Sequence, residues 1–174
     1  SAPTTLMVFS GIAIAFAGGF IMIWLYGQNW FMDFSLFGTN MRELFQMKTV
    51  NLSIAVWVGF IALFGIATDN GVVMAAYLKQ TFEKRKPENI QSIRESVVEA
   101  GKKRIRPTLM TTATTLLALL PILSSAGKGS DVMIPMAIPT FGGMAIQVIT
   151  LFVVPILYAQ WREQKMKLGT NGNK

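Results

Sequence analysis

The sequence predicts an all-α membrane protein with four transmembrane helices and short interfacial helices between them. Three observations carry that reading. Only 14% of the 174 residues are charged and 52% are hydrophobic, whereas an ordinary soluble domain carries roughly 25% charged residues. The apolar residues fall into four long runs, and about 20 such residues suffice to cross the hydrocarbon core of a bilayer. The surplus positive charge is confined to the connection between the second and third runs and to the tail after the fourth.

The first span occupies residues 1–26. From Thr5 to Tyr26 it holds no charge, and Gly11, Ala15, Gly18 and Gly19 give it a face small enough for close helix approach. Residues 27–51 form a polar connection punctuated by Trp30, Phe31, Phe34, Phe37, Leu44 and Phe45. Aromatic residues of this kind favour the headgroup boundary, so a short helix lying on the membrane surface is expected. Packing against a soluble domain is the alternative. The second span covers 52–80 and carries one charge, Asp69.

Residues 81–105 are an amphipathic connection, with Ile90, Ile93, Val97 and Val98 at helical spacing. Pro87 suits its first turn and Gly101 its C-terminal stop. Pro107 then opens the third span, residues 106–125. A hinge at 126–133, containing Gly127-Lys-Gly-Ser-Asp131, leads into the fourth span at 134–160. That span has Pro135 and Pro139 at its start and Pro155 near its end. The tail, 161–174, is polar and expected to fray. The chain opens with Ser1 and has no basic residue ahead of its first apolar run, so no secretory signal is expected and the sequence reads as a piece of a longer one.

Lys79 to Arg106 contains nine basic and four acidic residues, and the tail from Gln160 four and one. The connections 27–51 and 124–133 are balanced, at two against two and one against one. The positive-inside rule therefore places the two basic segments in the cytoplasm, with both ends of the chain. Charge distributed this way flanks a membrane. It forms no aromatic-interleaved basic groove, and no nucleic-acid partner is expected. With no Cys and no His, the usual zinc and haem ligand sets and Cys/His catalytic pairs are excluded, as are disulfides. No GxxxxGK[ST] loop is present for ATP, and an enzyme reading has no support.

Asp69 is the residue that most asks for an explanation. Ten positions before Lys79, it lies roughly 15 Å deep in the second span. A carboxylate there costs at least ~2.5–3.5 kcal/mol. Such a cost is borne where the group relays protons, binds an ion or pairs with a cation, or, more plainly, where a protonated acid hydrogen-bonds a neighbour for packing. Thr108, Thr111 and Thr115 stand on one face of the third span, with Thr112 and Thr114 alongside. Their depth overlaps that of Asp69, so a hydroxyl-to-carboxylate contact is feasible. Threonines bonding their own helix carbonyls are the alternative. Eleven methionines are a further theme. Thioether sulfur is a soft ligand that selects Cu(I), and Met133 and Met136 follow the hinge, with Met32, Met41 and Met47 in the other external connection. Methionine is equally a gap-filler of apolar cores.

The run Val58-Gly-Phe-Ile-Ala-Leu-Phe-Gly-Ile-Ala-Thr-Asp-Asn-Gly-Val-Val-Met74 resembles the tenth transmembrane helix of resistance-nodulation-division (RND) transporters. Gly101-Lys-Lys-Arg-Ile-Arg-Pro-Thr-Leu-Met-Thr111 resembles their run into helix eleven. Gly129-Ser-Asp-Val-Met-Ile-Pro-Met136 and Gly142-Gly-Met144 resemble the start of helix twelve in the heavy-metal efflux subfamily. The likeness extends from the first span to about Trp161 and is strongest to the copper/silver pumps. It implies the last four helices of a twelve-helix, proton-driven homotrimer in the bacterial inner membrane. Such a pump carries Cu(I) or Ag(I) as substrate, needs no cofactor, and works with a periplasmic adaptor and an outer-membrane channel. The rest of the same polypeptide would be its immediate partner. The resemblance further implies that Asp69 is an acidic relay residue, that Arg104 and Thr111 take part in proton coupling, and that Met133 lies on a methionine path for the metal. Thr108 is a departure, since some copper pumps carry Lys there.

Overall fold

The computed structural model describes residues 2–87 and 89–171. The elements are helix α1 (Ala2–Tyr26), a two-strand ribbon β1 (Ser35–Leu36) and β2 (Thr39–Asn40), helix α2 (Met41–Leu44), and helices α3 (Ile54–Arg85), α4 (Ile90–Leu123) and α5 (Ser130–Asn171). α1, α3, α4 and α5 are each long and apolar enough to cross a membrane. The all-α architecture predicted from the four apolar runs is what forms.

α5 is the centre of the bundle and packs against α1, α3 and α4. In lipid, helices gain little from burying apolar surface, so close van der Waals fit has to hold them. Small residues provide it. A Cβ added to Gly18 would lie 2.9 Å from the Gly142 carbonyl oxygen, and one added to Gly143 would lie 2.8 Å from that of Ala15. Backbone therefore meets backbone where α1 crosses α5. Gly59 brings α3 closer still to the Met136 carbonyl, and Thr140 Oγ1 donates across this contact to Gly59 O at 3.1 Å. Between these crossings, Ala15, Phe60, Leu63 and Met144 form one buried cluster. A second, with Leu78, Phe82, Ile93, Ala100 and Tyr158, joins α3, α4 and α5 at the charged end. A third, with Tyr26, Met47, Leu123 and Ile138, closes the opposite end.

Three expectations about the connections are corrected. Residues 27–51 contain a short helix, as expected, but it is only the four residues of α2, and an unexpected two-strand ribbon precedes it. Phe37 and Gly38 both adopt positive φ at the ribbon turn, which interrupts any helix. The segment is held by Arg42, whose guanidinium donates to the Gln28 carbonyl and to Asn29 Oδ1. Gln46 Nε2 ties it to the Ser125 carbonyl at 2.6 Å.

The second correction concerns 81–105 and 106–125, expected as two elements parted by Gly101 and Pro107. They are one helix, α4. Gly101 does not take the left-handed conformation that a helix stop requires. The pairing of Glu99 with Lys103 at 3.0 Å also braces the helix across this point. Pro107 has no N–H and so leaves the Lys103 carbonyl without its usual helical donor, yet the helix continues through it, packed against α3 and α5. Pro87, expected in a first turn, precedes the N-cap residue Asn89; the chain turns at Lys86, which is left-handed at φ 42°.

Thirdly, the tail continues α5 as far as Asn171 rather than fraying from residue 161. Arg94 of α4 grips Glu163 with two hydrogen bonds of 2.8 and 3.4 Å, which pins the extension. Residues 172–174 lie outside the described residues. At the other end of α5 the helix begins at Ser130, inside the expected hinge, after Gly129 at φ 94°.

Candidate functional site

Asp69 stands near the midpoint of α3, some 15 residues from either end and therefore more than about 20 Å from both. It lines a cleft of about 320 Å³ together with Gly65, Ile66 and Asn70 of α3, Thr111, Thr112 and Thr115 of α4, and Met144 of α5. The fold thus brings the lone acid and the threonine stripe to one place. It does so because α3 and α4 pack side by side, with α5 closing the back of the cleft.

The expected hydroxyl-to-carboxylate bond does not form. Thr111, Thr114 and Thr115 donate instead to the carbonyls four residues earlier, those of Pro107, Met110 and Thr111, at 2.8–2.9 Å. In a helix those acceptors are within reach of every Thr rotor that points back along the axis, and they win. Asp69 is exposed in this chain. Among the described residues it takes part in no side-chain hydrogen bond or ion pair.

Thr108, one turn from Thr111 on the same face, is 3% exposed, and its hydroxyl is buried without a partner among the described residues. Arg104 is half-buried, with an Nε likewise buried and unpartnered. Neither lines the cleft; both lie toward the charged end of α4 from it. Each atom is a donor without an acceptor, which is costly unless something further meets it. Gly65, Ile66, Asn70 and Met144 also line the cleft, and none of them was assigned a role from the sequence. A second polar side chain at mid-span beside Asp69 was the available signal for Asn70; nothing in the spacing marked Met144.

Met133 and Met136 occupy the first two turns of α5. Met133 is 41% exposed. Met136 is half-buried, and its carbonyl accepts from Thr140 at 3.1 Å. Met32 and Met47, by contrast, pack into the cluster around Tyr26 and Ile138, which is the gap-filling role open to them from the start. At the opposite end, outside the apolar stretches, hydrogen bonds from Lys103 and Arg94 hold the carboxyls of Glu99 and Glu163 below the usual carboxylate range.

Residues 43–162 match the AcrB/AcrD/AcrF family. Among curated proteins, the cation efflux system protein CusA of Escherichia coli (strain K12) is 35% identical over 160 residues, covering 88% of this chain and 13% of CusA. The cobalt-zinc-cadmium resistance protein CzcA of Cupriavidus metallidurans is 31% identical over 154 residues, covering 88% of this chain and 12% of CzcA. The multidrug resistance protein MdtC of Erwinia amylovora is 27% identical over 154 residues, 84% of this chain and 15% of MdtC. The chain thus spans only a small part of the length of the relatives it matches. No solved structure matches it. With four membrane-length helices, an acid at the middle of one of them and this match across most of its length, the chain belongs to the AcrB/AcrD/AcrF family of RND transporters.

Proposed function

We propose that this chain is the C-terminal transmembrane part of a proton-driven pump that exports a heavy-metal cation, Cu(I) or Ag(I), across the cell envelope. One observation carries the proposal: Asp69 opens at mid-span into a cleft walled by Thr111, Thr112 and Thr115. An ionised carboxylate at that depth is unfavourable against hydrocarbon, so the exposed face of the cleft is where the remainder of the pump polypeptide packs. Protonation of Asp69 removes its charge and with it the need for polar cover, which lets α3 and α4 shift against that partner. Arg104 and Thr108 are the donors that such a shift would bring into or out of pairing. Met133, exposed at the external end of α5, is in position to hand a soft cation along, with Met136 a turn deeper. The working unit is a homotrimer in the bacterial inner membrane, joined to a periplasmic adaptor and an outer-membrane channel.

The names of CusA and CzcA, a cation efflux protein and a cobalt-zinc-cadmium resistance protein, support metal as the substrate class. The methionines favour the monovalent ion over the divalent one. The likeness to MdtC favours a second reading, export of organic compounds, at lower identity. Replacing Asp69 by Asn in the full-length protein tests the relay: metal tolerance is lost while expression stays normal. Unchanged tolerance defeats it. Met133→Ala separates the substrate readings. Loss of copper and silver resistance supports the metal path, and full resistance supports the alternative.

A further inference from the structure

The charged end of the bundle contains a groove of about 420 Å³ where α3, α4 and α5 converge, walled by Phe82, Lys86, Ile93, Arg162, Lys165 and Met166 among others. We propose that it binds the phosphodiester headgroup of an anionic phospholipid. The inference rests on the four-span architecture and is independent of what the pump carries.

Charge is the first argument. Three cations line the groove and no described carboxylate does. Among the described residues, three nearby acids are engaged elsewhere: Glu83 with Lys79, Glu99 with Arg85 and Lys103, Glu163 with Arg94. Lys86, Arg162 and Lys165 have no ion-pair partner among the described residues.

Preorganisation is the second. The Arg162 guanidinium lies 5.1 Å from the Phe82 ring centre, 5.4 Å from that of Trp161 and 5.5 Å from that of Tyr158. Its Nε and Nη2 donate to the Tyr158 hydroxyl at 3.4 and 3.2 Å. That leaves Nη1 without a described acceptor on a group already fixed in place, and the planar fork matches phosphate oxygens. Lys165 rests over Trp161 at 5.6 Å. Lys86 is the left-handed residue that ends α3, its N–H bonded to the Phe82 carbonyl at 3.0 Å. Ordering these groups in advance removes much of the entropy that binding would otherwise forfeit.

Position is the third, and it decides the source of the phosphate. Phe82 and Ile93 are buried and form an apolar floor. Tyr158 and Trp161 sit where the apolar stretch of α5 gives way to charge, the boundary that amphipathic rings mark. A soluble anion has no use for an apolar floor at headgroup depth; the glycerol and first acyl carbons of a lipid do.

The test uses the full-length protein in nanodiscs of equal parts phosphatidylcholine and phosphatidylglycerol, with a photoactivatable trace of one lipid or the other. Peptide mapping is expected to find phosphatidylglycerol attached to residues 82–93 and 158–167 in preference to phosphatidylcholine. In Lys86→Gln/Lys165→Gln, both exposed positions, that preference falls by about tenfold. Lys102→Gln, at an exposed basic residue outside the groove, leaves it unchanged. Equal labelling by the two lipids overturns the proposal, as does an undiminished preference in the double variant. Competition by millimolar inorganic phosphate overturns it as well, since the groove would then serve a soluble anion.

Discussion

Asp69 and the hydroxyls around it illustrate how a residue can be legible in a sequence while its partners are not. A lone carboxylate in an apolar run is visible from composition and depth, and the threonine stripe from helical spacing. Which acceptor a threonine chooses depends on a competition between its own carbonyl four residues back and a side chain on another helix. The carbonyl is always within reach. Thr111 and Thr115 are therefore satisfied internally, and Thr111→Val is expected to leave folding intact; a melting temperature within a few degrees of the parent in detergent checks it. Thr108 is different, with a buried hydroxyl that meets nothing among the described residues. If the hydroxyl stays unmet in the whole pump, Thr108→Val relieves an unpaired group and stabilises by about 1 kcal/mol. A lower melting temperature would instead reveal a partner supplied by the rest of the polypeptide.

Between helices, the decisive feature is how little lies at the crossings. Gly142 has no room for a Cβ against Met22 and Gly18, nor Gly143 against Leu63 and Ala15. Gly143→Ala is expected to destabilise by about 1–3 kcal/mol through overpacking. Gly65, where a Cβ would meet nothing of this chain within 4 Å, should accept Ala without disturbing the packing of these four helices, and thermal unfolding of the two variants makes the comparison. The small-residue face of α1 was readable in the sequence, but its partner on α5 required coordinates, because glycine spacing says that a helix is approached closely and not by what. The Arg94–Glu163 clasp also belongs to this scale. Hydrogen bonding to Arg94 holds the Glu163 carboxyl below its ordinary range. The clasp is therefore fully present above the unfolded carboxylate pKa and is lost as pH falls through the folded one. Acidification and Arg94→Gln should have the same effect, faster amide exchange beyond residue 160, with a neutral-pH parent as the protected reference.

For the molecule as a whole, four spans and an asymmetric charge pattern were recoverable from residue types, since hydropathy and charge act locally and additively. The boundaries were less so. Gly101 and Pro107 read as punctuation, yet the helix runs through both, because the Glu99–Lys103 pair braces this stretch and α4 packs against α3 and α5. The orientation that the charges imply is open to a direct check. The chain has no Cys, so Lys102→Cys and Lys128→Cys offer unique labels within it. An impermeant maleimide added outside intact cells is expected to reach Lys128→Cys and to spare Lys102→Cys; the reverse pattern would invert the topology.

The unbroken path of α4 has a mechanical consequence. Its 34 residues make a rod of about 50 Å, and at its far end the Ser125 carbonyl is fastened to Gln46. A rod converts a small tilt at one tip into travel at the other, in proportion to its length. A tilt at the basic tip is therefore carried to the Gln46 loop in proportion to that length, unless the helix bends at Pro107 or Pro121, the two prolines inside it.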